Sequence, residues 1–217
     1  MLTWNLFHGR AVPGAGRSLL PEFANRLAGW AWDLALLQEL PPWWPARLAE
    51  AAGASERHVL TSRNSLLPLR RFVAERWPDL IKSHGGGANA ILVRGEAIAE
   101  HRALVLTHRP ERRVAHGVRL ASGLWVVNLH GTAHAPDRAR ADAVKAADAW
   151  AHVRTLVLGG DLNVHDPRLP GLTHAAGRDV DHLFARGLRA AGPAEVLDRG
   201  RLSDHPPLAV SLAWRRG

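Results

Sequence analysis

The stretch DLALLQEL, residues 33–40, carries four apolar residues in a row before Pro41 and Pro42 stop it. RTLVLGG, residues 154–160, repeats the pattern and ends in two glycines. A strand with one wet face alternates apolar and polar residues, whereas an unbroken apolar strand is covered on both faces. Any fold built on these segments must place a packed layer above and below each one.

Other segments supply the layers. LTWNLF (2–7), residues 58–61, DVDHLFA (179–185) and PLAVSLAW (207–214) read as strands. Residues 89–94, 102–107, 113–120 and 124–130 read as an antiparallel meander separated by glycine and charged turns. Helical spacing appears in 21–30, with Phe23, Leu27 and Trp30 on one side, and in 45–54 and 136–152. Residues 65–77 are helical or irregular, and SHGGGA (83–88) reads as flexible. One sheet cannot comfortably hold so many strands. Two mixed sheets packed face to face, with helices outside, bury both faces of the apolar strands. The expected fold is therefore an α/β four-layer α/β/β/α sandwich. With 217 residues, no internal repeat and no long linker, residues 1–217 read as a single domain.

Composition narrows the chemistry. The chain has no cysteine, which excludes disulfides, thiolate catalysis and cysteine-bound zinc. No apolar run is long enough to span a bilayer, and MLTWNLFHGR lacks the basic leader and apolar core of a signal peptide. A cytoplasmic protein with no stable membrane association is expected. The net charge of +8 favours a polyanion such as nucleic acid as partner. Lys82 and Lys145 are the only lysines among 28 basic residues, so an arginine-raising coding bias accounts for the charge equally well.

Polar residues recur at or just past the ends of the apolar strands. They are Asn5, Glu39, His130, Asp161 and Asn163 in GGDLN, Asp181, and the pair Asp204–His205. Each alone has a plain structural reading. A buried asparagine bonds backbone, Glu39 faces water, His130 is a satisfied core histidine, and Asp161 closes an Asx-turn. Asp181 caps, and Asp204–His205 caps the turn before two prolines. Together they are harder to dismiss, because several uncompensated buried carboxylates cost several kcal/mol apiece. Open α/β sheets bind ligands at the carboxyl ends of their strands. Oxygen donors without cysteine point to magnesium, manganese or calcium. With no G-x-S-x-G segment, the set suits attack of water on a phosphate ester rather than acyl transfer.

TWNLFHGR, LLQEL, NLHGTAH, GGDLN, DVDHLF and LSDHPPL, in this order, resemble the signature segments of the endonuclease/exonuclease/phosphatase superfamily, over nearly the whole chain. The resemblance implies the deoxyribonuclease I-like four-layer sandwich and an Mg2+- or Mn2+-dependent phosphohydrolase. It implies that Glu39, Asn5 and Asp204 serve the metal, and that Asp161 orients or deprotonates the attacking water. Asn163 would hold water and phosphate, and His205 would contact the scissile phosphate. Asp181 would set the tautomer and charge of His205, and His130 would be a second phosphate-side histidine. The expected activity is that of an endonuclease, acting as a monomer. Alternatives are a phosphatase or phospholipid phosphodiesterase with the same site, and a silent nucleic-acid-binding domain.

Some positions depart from that pattern or sit beside it. The chain has no tyrosine, so the tyrosine of the family's abasic-site endonucleases has no counterpart. His8 stands where some relatives carry an acid. His165, Asp166 and His182 lie near the motifs and read as incidental. Asn89 is either a cleft residue that meets substrate or a turn-closing amide. Arg112 and Arg113, with Arg70, Arg71, Arg109 and Arg119, either line a phosphate-binding surface or form a solvated face. PPWW (41–44) offers two tryptophans, expected in the core rather than on a membrane.

Overall fold

The structure, a computed structural model, describes residues 1–61, 64, 66–77, 87–109 and 111–215. In chain order the elements begin β1 (Leu2–Asn5), α1 (Leu20–Gly29), β2 (Leu34–Leu40), α2 (Pro45–Ala51), β3 (Ser55–Thr61), α3 (Leu67–Arg76) and β4 (Gly87–Val93). The second half contains β5 (Ile98–Thr107), β6 (Arg113–Leu120), β7 (Trp125–His130), α4 (Pro136–Ala149), β8 (Leu156–Asp161), β9 (Thr173–Arg178) and β10 (Asp181–Arg186). Short strands β11 (Leu188–Ala190), β12 (Glu195–Val196), β13 (Leu208–Ala209) and β14 (Leu212–Trp214) close it.

Two six-stranded mixed sheets form, in the orders β12-β13-β1-β2-β4-β3 and β5-β6-β7-β8-β10-β9. They pack face to face as the apolar strands require. Leu36, Ile91, Val118, Val126, Val157 and Leu183 fill the space between the sheets. On the outside of the first sheet, Trp4, Leu37 and Leu92 pack with Phe23 and Leu27 of α1 and Leu48 of α2. On the outside of the second, Val127, Leu129, Leu158 and Phe184 pack with Ala143 and Ala146 of α4 and Trp150 beyond it. In LALL, then, Leu36 serves the middle layer, while Ala35 and Leu37 serve the helix layer. Each fully buried leucine contributes about 1.5–3 kcal/mol relative to leaving it in water.

Register decides where the polar residues end up. β1 and β2 run parallel, with Asn5 beside Gln38. β7 and β8 also run parallel, with His130 beside Asp161. Parallel neighbours bring their carboxyl ends to one edge. β10 runs antiparallel to β8, so its first residue, Asp181, pairs with Asp161 at that same edge.

Several elements differ from the sequence expectations. LTWNLF is a strand only to Asn5; a tight turn over Phe7–Gly9 follows, with Phe7 and His8 at positive φ. Residues 207–214 are not one strand. β13 joins β1, whereas β14 pairs with β11 in a separate two-stranded sheet, and the chain changes partner at Val210. THAAGR (173–178), with little apolar content, is an edge strand. In SHGGGA, Gly87 and Ala88 lie in buried β4, and residues 83–86 lie outside the described residues. Residues 67–76 are helical.

Candidate active site

The double glycine of VLGGDLN has a steric cause. Gly160 lies at φ +133, and a Cβ there would run into the Leu129 carbonyl oxygen; one on Gly159 would strike the His182 carbonyl. Only glycine lets β8 pass this close to both neighbours, and so Asp161 is delivered to the edge between β7 and β10.

Asp161 is buried and heavily engaged. Its Oδ2 accepts a 2.9 Å hydrogen bond from Asn5 Nδ2, and its Oδ1 accepts one of 3.0 Å from the Asn163 backbone N–H. His130 Nε2 lies 3.5 Å from its carboxylate and His205 Nε2 3.9 Å. Burial pushes the Asp161 pKa up, against the nearby His205 charge and the Asn5 hydrogen bond. Asn163, at φ 54, also donates through Nδ2 to the Gly131 carbonyl at 3.1 Å.

Asp181 and His205 form the second part. His205 Nδ1 meets Asp181 Oδ2 at 2.8 Å. Burial raises Asp181; the His205 hydrogen bond pulls it back, and the Asp161 charge adds to the rise. On His205, burial acts downward, but the Asp181 hydrogen bond and charge, then Asp161 and Asp204, raise it to about 9. At neutral pH this is an imidazolium held by a carboxylate. Asp181 Oδ1 is buried and has no hydrogen-bond partner among the described residues.

Glu39 approaches from the first sheet. The β2–β4 register shifts between Leu37 and Leu40, and Glu39 sits at φ 52. Such a bulge re-aims consecutive side chains. Gln38 stays between the sheets, donating to Asn128 Oδ1 at 2.8 Å, and Glu39 turns into the site. Its carboxylate meets His8 Nε2 at 3.0 Å and His130 Nε2 at 3.7 Å. Burial pushes its pKa up, but His8, His130 and an Asn5 hydrogen bond outweigh that and hold it well below the usual carboxylate range. Burial, then the Arg113 charge, presses His130 down to about 3 despite Glu39, so it is a neutral imidazole.

Asn5, Glu39, His130, Asp161, Asn163, Asp181 and His205 are thus brought to one edge. Asp204 is exposed, touched by Ser203 Oγ at 3.5 Å, and acts on His205 by charge. Asn89 lies fully buried in β4, not in a turn, and neither amide atom has a partner among the described residues. Arg113 is buried at the start of β6 and its charge reaches His130. Arg112 bonds the Leu60 carbonyl at 2.6 Å. Trp44 is buried against Phe23 (ring centroids 5.4 Å apart), and Trp43 is half-buried at the same cluster. His182 is buried too, bonded to the Val164 carbonyl at 2.9 Å.

Three residues behind the site were not singled out by sequence. Ser203 Oγ donates to the Asn5 carbonyl at 2.7 Å and accepts from the His205 N–H at 3.0 Å, joining the first and last motifs. Asn128 Nδ2 donates to the carbonyls of Leu37 and Ala90, each at 2.9 Å, bolting one sheet to the other. Asp142 in α4 accepts from Thr132 N at 3.0 Å and Thr132 Oγ1 at 2.6 Å, fixing the loop after His130. Ser203 and Asn128 lie inside quoted motifs, but their partners are far away in sequence. Asp142 had no such signal.

Two packed mixed sheets with helices outside, and acids and histidines gathered at one edge, define the deoxyribonuclease I-like class of sandwich. The Endonuclease/Exonuclease/phosphatase family model matches residues 2–205, and the chain belongs to that family. Its members are hydrolases acting on phosphate esters. Among solved structures, it is similar to an endonuclease/exonuclease/phosphatase from Beutenbergia cavernae (TM-score 0.74, 20% identity, covering 98% of this chain and 70% of that one). A mannosyl-6-phosphatase from Bacteroides thetaiotaomicron matches with TM-score 0.70 and 16% identity, over 99% of this chain and 100% of that one. TDP2 from D. rerio, complexed with a single-strand DNA product, matches with TM-score 0.69 and 14% identity, over 98% and 97%. At these identities the likeness shows the fold alone. A search of curated proteins finds no match.

Proposed function

We propose that the chain is a divalent-metal-dependent phosphodiester hydrolase acting on nucleic acid as an endonuclease. The observation that carries this reading is the convergence of Asp161, Asp181 and His205, with a carboxylate oxygen of each acid and a ring nitrogen of the histidine all within 4.8 Å of one another. A lone structural carboxylate needs no second buried acid beside it. The fold shared with a protein solved with a DNA product supports the choice of nucleic acid.

The donors fit a hard cation: they are oxygen-rich, lack sulfur, and include buried carboxylates that repel one another. Glu39 and Asn5 would hold Mg2+ or Mn2+, with Asp204 as the solvent-side carboxylate. When bound, such an ion neutralises charge developing on the phosphate. Asp161, with its raised pKa, takes the proton of the attacking water, and Asn163 helps to orient that water. The water oxygen bonds to phosphorus as the ester P–O bond breaks, and the departing alkoxide takes its proton from solvent. The His205 imidazolium, oriented by Asp181, donates to a phosphate oxygen, and neutral His130 donates to another. Asn89, whose amide has no partner among the described residues, would meet substrate, and Arg112 and Arg113 would supply positive charge on that side.

The test offers purified protein supercoiled plasmid, sphingomyelin and p-nitrophenyl phosphates, with Mg2+, with Mn2+ or with EDTA. Nicking of plasmid that EDTA stops, and that Asp161→Ala and His205→Ala abolish while unfolding stays cooperative, is expected. Release from the small esters or lipid alone would replace the nuclease with the second reading. Unchanged turnover in either variant would defeat the roles assigned.

A further inference from the structure

A groove of about 550 Å³ opens beside the segment that leads to His205, and four arginines line it: Arg17, Arg26, Arg199 and Arg201, against a single acid, Glu22. One wall belongs to the segment that carries His205. Arg199 Nη1 donates to the Ser203 carbonyl at 2.6 Å and the Leu202 carbonyl at 3.1 Å. The other wall is the start of α1 and the loop leading to it from Asn5. The two walls are stitched together: Val12 N donates to the Arg201 carbonyl at 2.9 Å and Ser203 N to the Arg10 carbonyl at 2.8 Å. Leu202, which lines the groove, is three residues from His205, so the groove begins within about 10 Å of that histidine.

We propose that this groove seats the phosphate backbone of a polynucleotide adjacent to the bond being cut. The proposal rests on the hydrolase reading above and names how its substrate is held. The groove's cations are available. Arg17 pairs with Glu22, but its side chain is 60% exposed. Arg26 meets Asp198 at 3.4 Å, with Asp198 80% exposed. Exposed pairs of this kind are weak and yield readily to a phosphate. Arg201 has no ion pair within 4 Å among the described residues, though its charge reaches Glu22, and the hydrogen bonds Arg199 makes among the described residues run from Nη1 to carbonyls. Planar guanidinium groups match phosphate oxygens two at a time. A further basic stretch, α3, exposes the apolar Leu69 and Phe72 beside its arginines.

The test measures binding of a fluorescein-labelled single-stranded oligonucleotide in EDTA across a salt series. It uses the full chain, Arg26→Ala, Arg201→Ala, and Arg76→Ala on α3 as the comparison. Each groove variant should bind at least about threefold more weakly, and the slope of log affinity against log salt should flatten by about 0.7 per lost contact. Arg76→Ala should match the parent. Groove variants that bind like the parent, or Arg76→Ala weakening binding equally, would overturn the proposal. So would groove variants that lose binding to phosphatidylserine vesicles while keeping the oligonucleotide. Binding in EDTA needs no turnover, so it fails or succeeds separately from the nuclease reading, which the plasmid assay decides.

Discussion

Replacing Asp181 with asparagine keeps the shape of the His205 partner and deletes its charge. His205 stands at about 9, some 2.5 units above the ordinary histidine value, which corresponds to about 3 kcal/mol favouring the imidazolium. Asp181 is the first of the groups that raise it, by hydrogen bond and by charge, ahead of Asp161 and Asp204. In Asp181→Asn the His205 pKa should therefore fall by at least about one unit, toward 6.5. A group whose folded pKa is raised contributes stability that is fully present below its unfolded pKa and is lost as pH rises through the folded one. The parent should thus lose stability between about pH 6.5 and 9, and the variant should show a flatter curve there. The rise of Asp181 itself, to about 6, acts on the acid side of that window. Histidine ring signals followed by NMR in EDTA, with His205→Gln to assign the peak, give the pKa directly. Urea midpoints at several pH values give the linkage. A His205 pKa within a few tenths of a unit of the parent's would refute the claim that Asp181 holds its charge.

Three further outcomes follow from the packing. Gly160→Ala would place a Cβ against the Leu129 carbonyl at a φ that L residues avoid; it should cost at least about 2 kcal/mol in urea unfolding, and a loss under half of that counts against the close approach. Trp44→Ala should cost about 3–5 kcal/mol, because the ring fills the space above Gly9 and Phe23. An unshifted midpoint, with vesicle binding lost instead, would move PPWW to a membrane surface. Ser203→Ala removes the hydroxyl that ties Asn5 to the His205 backbone. Turnover should fall by about tenfold or more with the melting temperature lowered by only a few degrees, and full turnover would mean that this tie does not position the site.

What could be read from sequence follows the range of the forces involved. The unbroken apolar runs around Leu36 and Val157 announce burial on both faces, a local property, and the sandwich follows from it. The strand-end acids could be found because burying Asp161 and Asp181 without a purpose is costly, and that cost depends on residue type alone. The split of residues 207–214 was hidden because β13 answers to β1, nearly the whole chain away, while β14 answers to a different strand, β11. The PPWW and Asn89 alternatives likewise turn on contacts with Phe23 and on the buried face of β4, not on neighbours in sequence. His8 shows the same limit at the site itself. It reads as a substitute for an acid, yet a left-handed turn brings its Nε2 to 3.0 Å from Glu39. A histidine there helps Glu39 stay ionised, where a second carboxylate would oppose it, so the position acts on Glu39 in the direction opposite to the residue it stands in for.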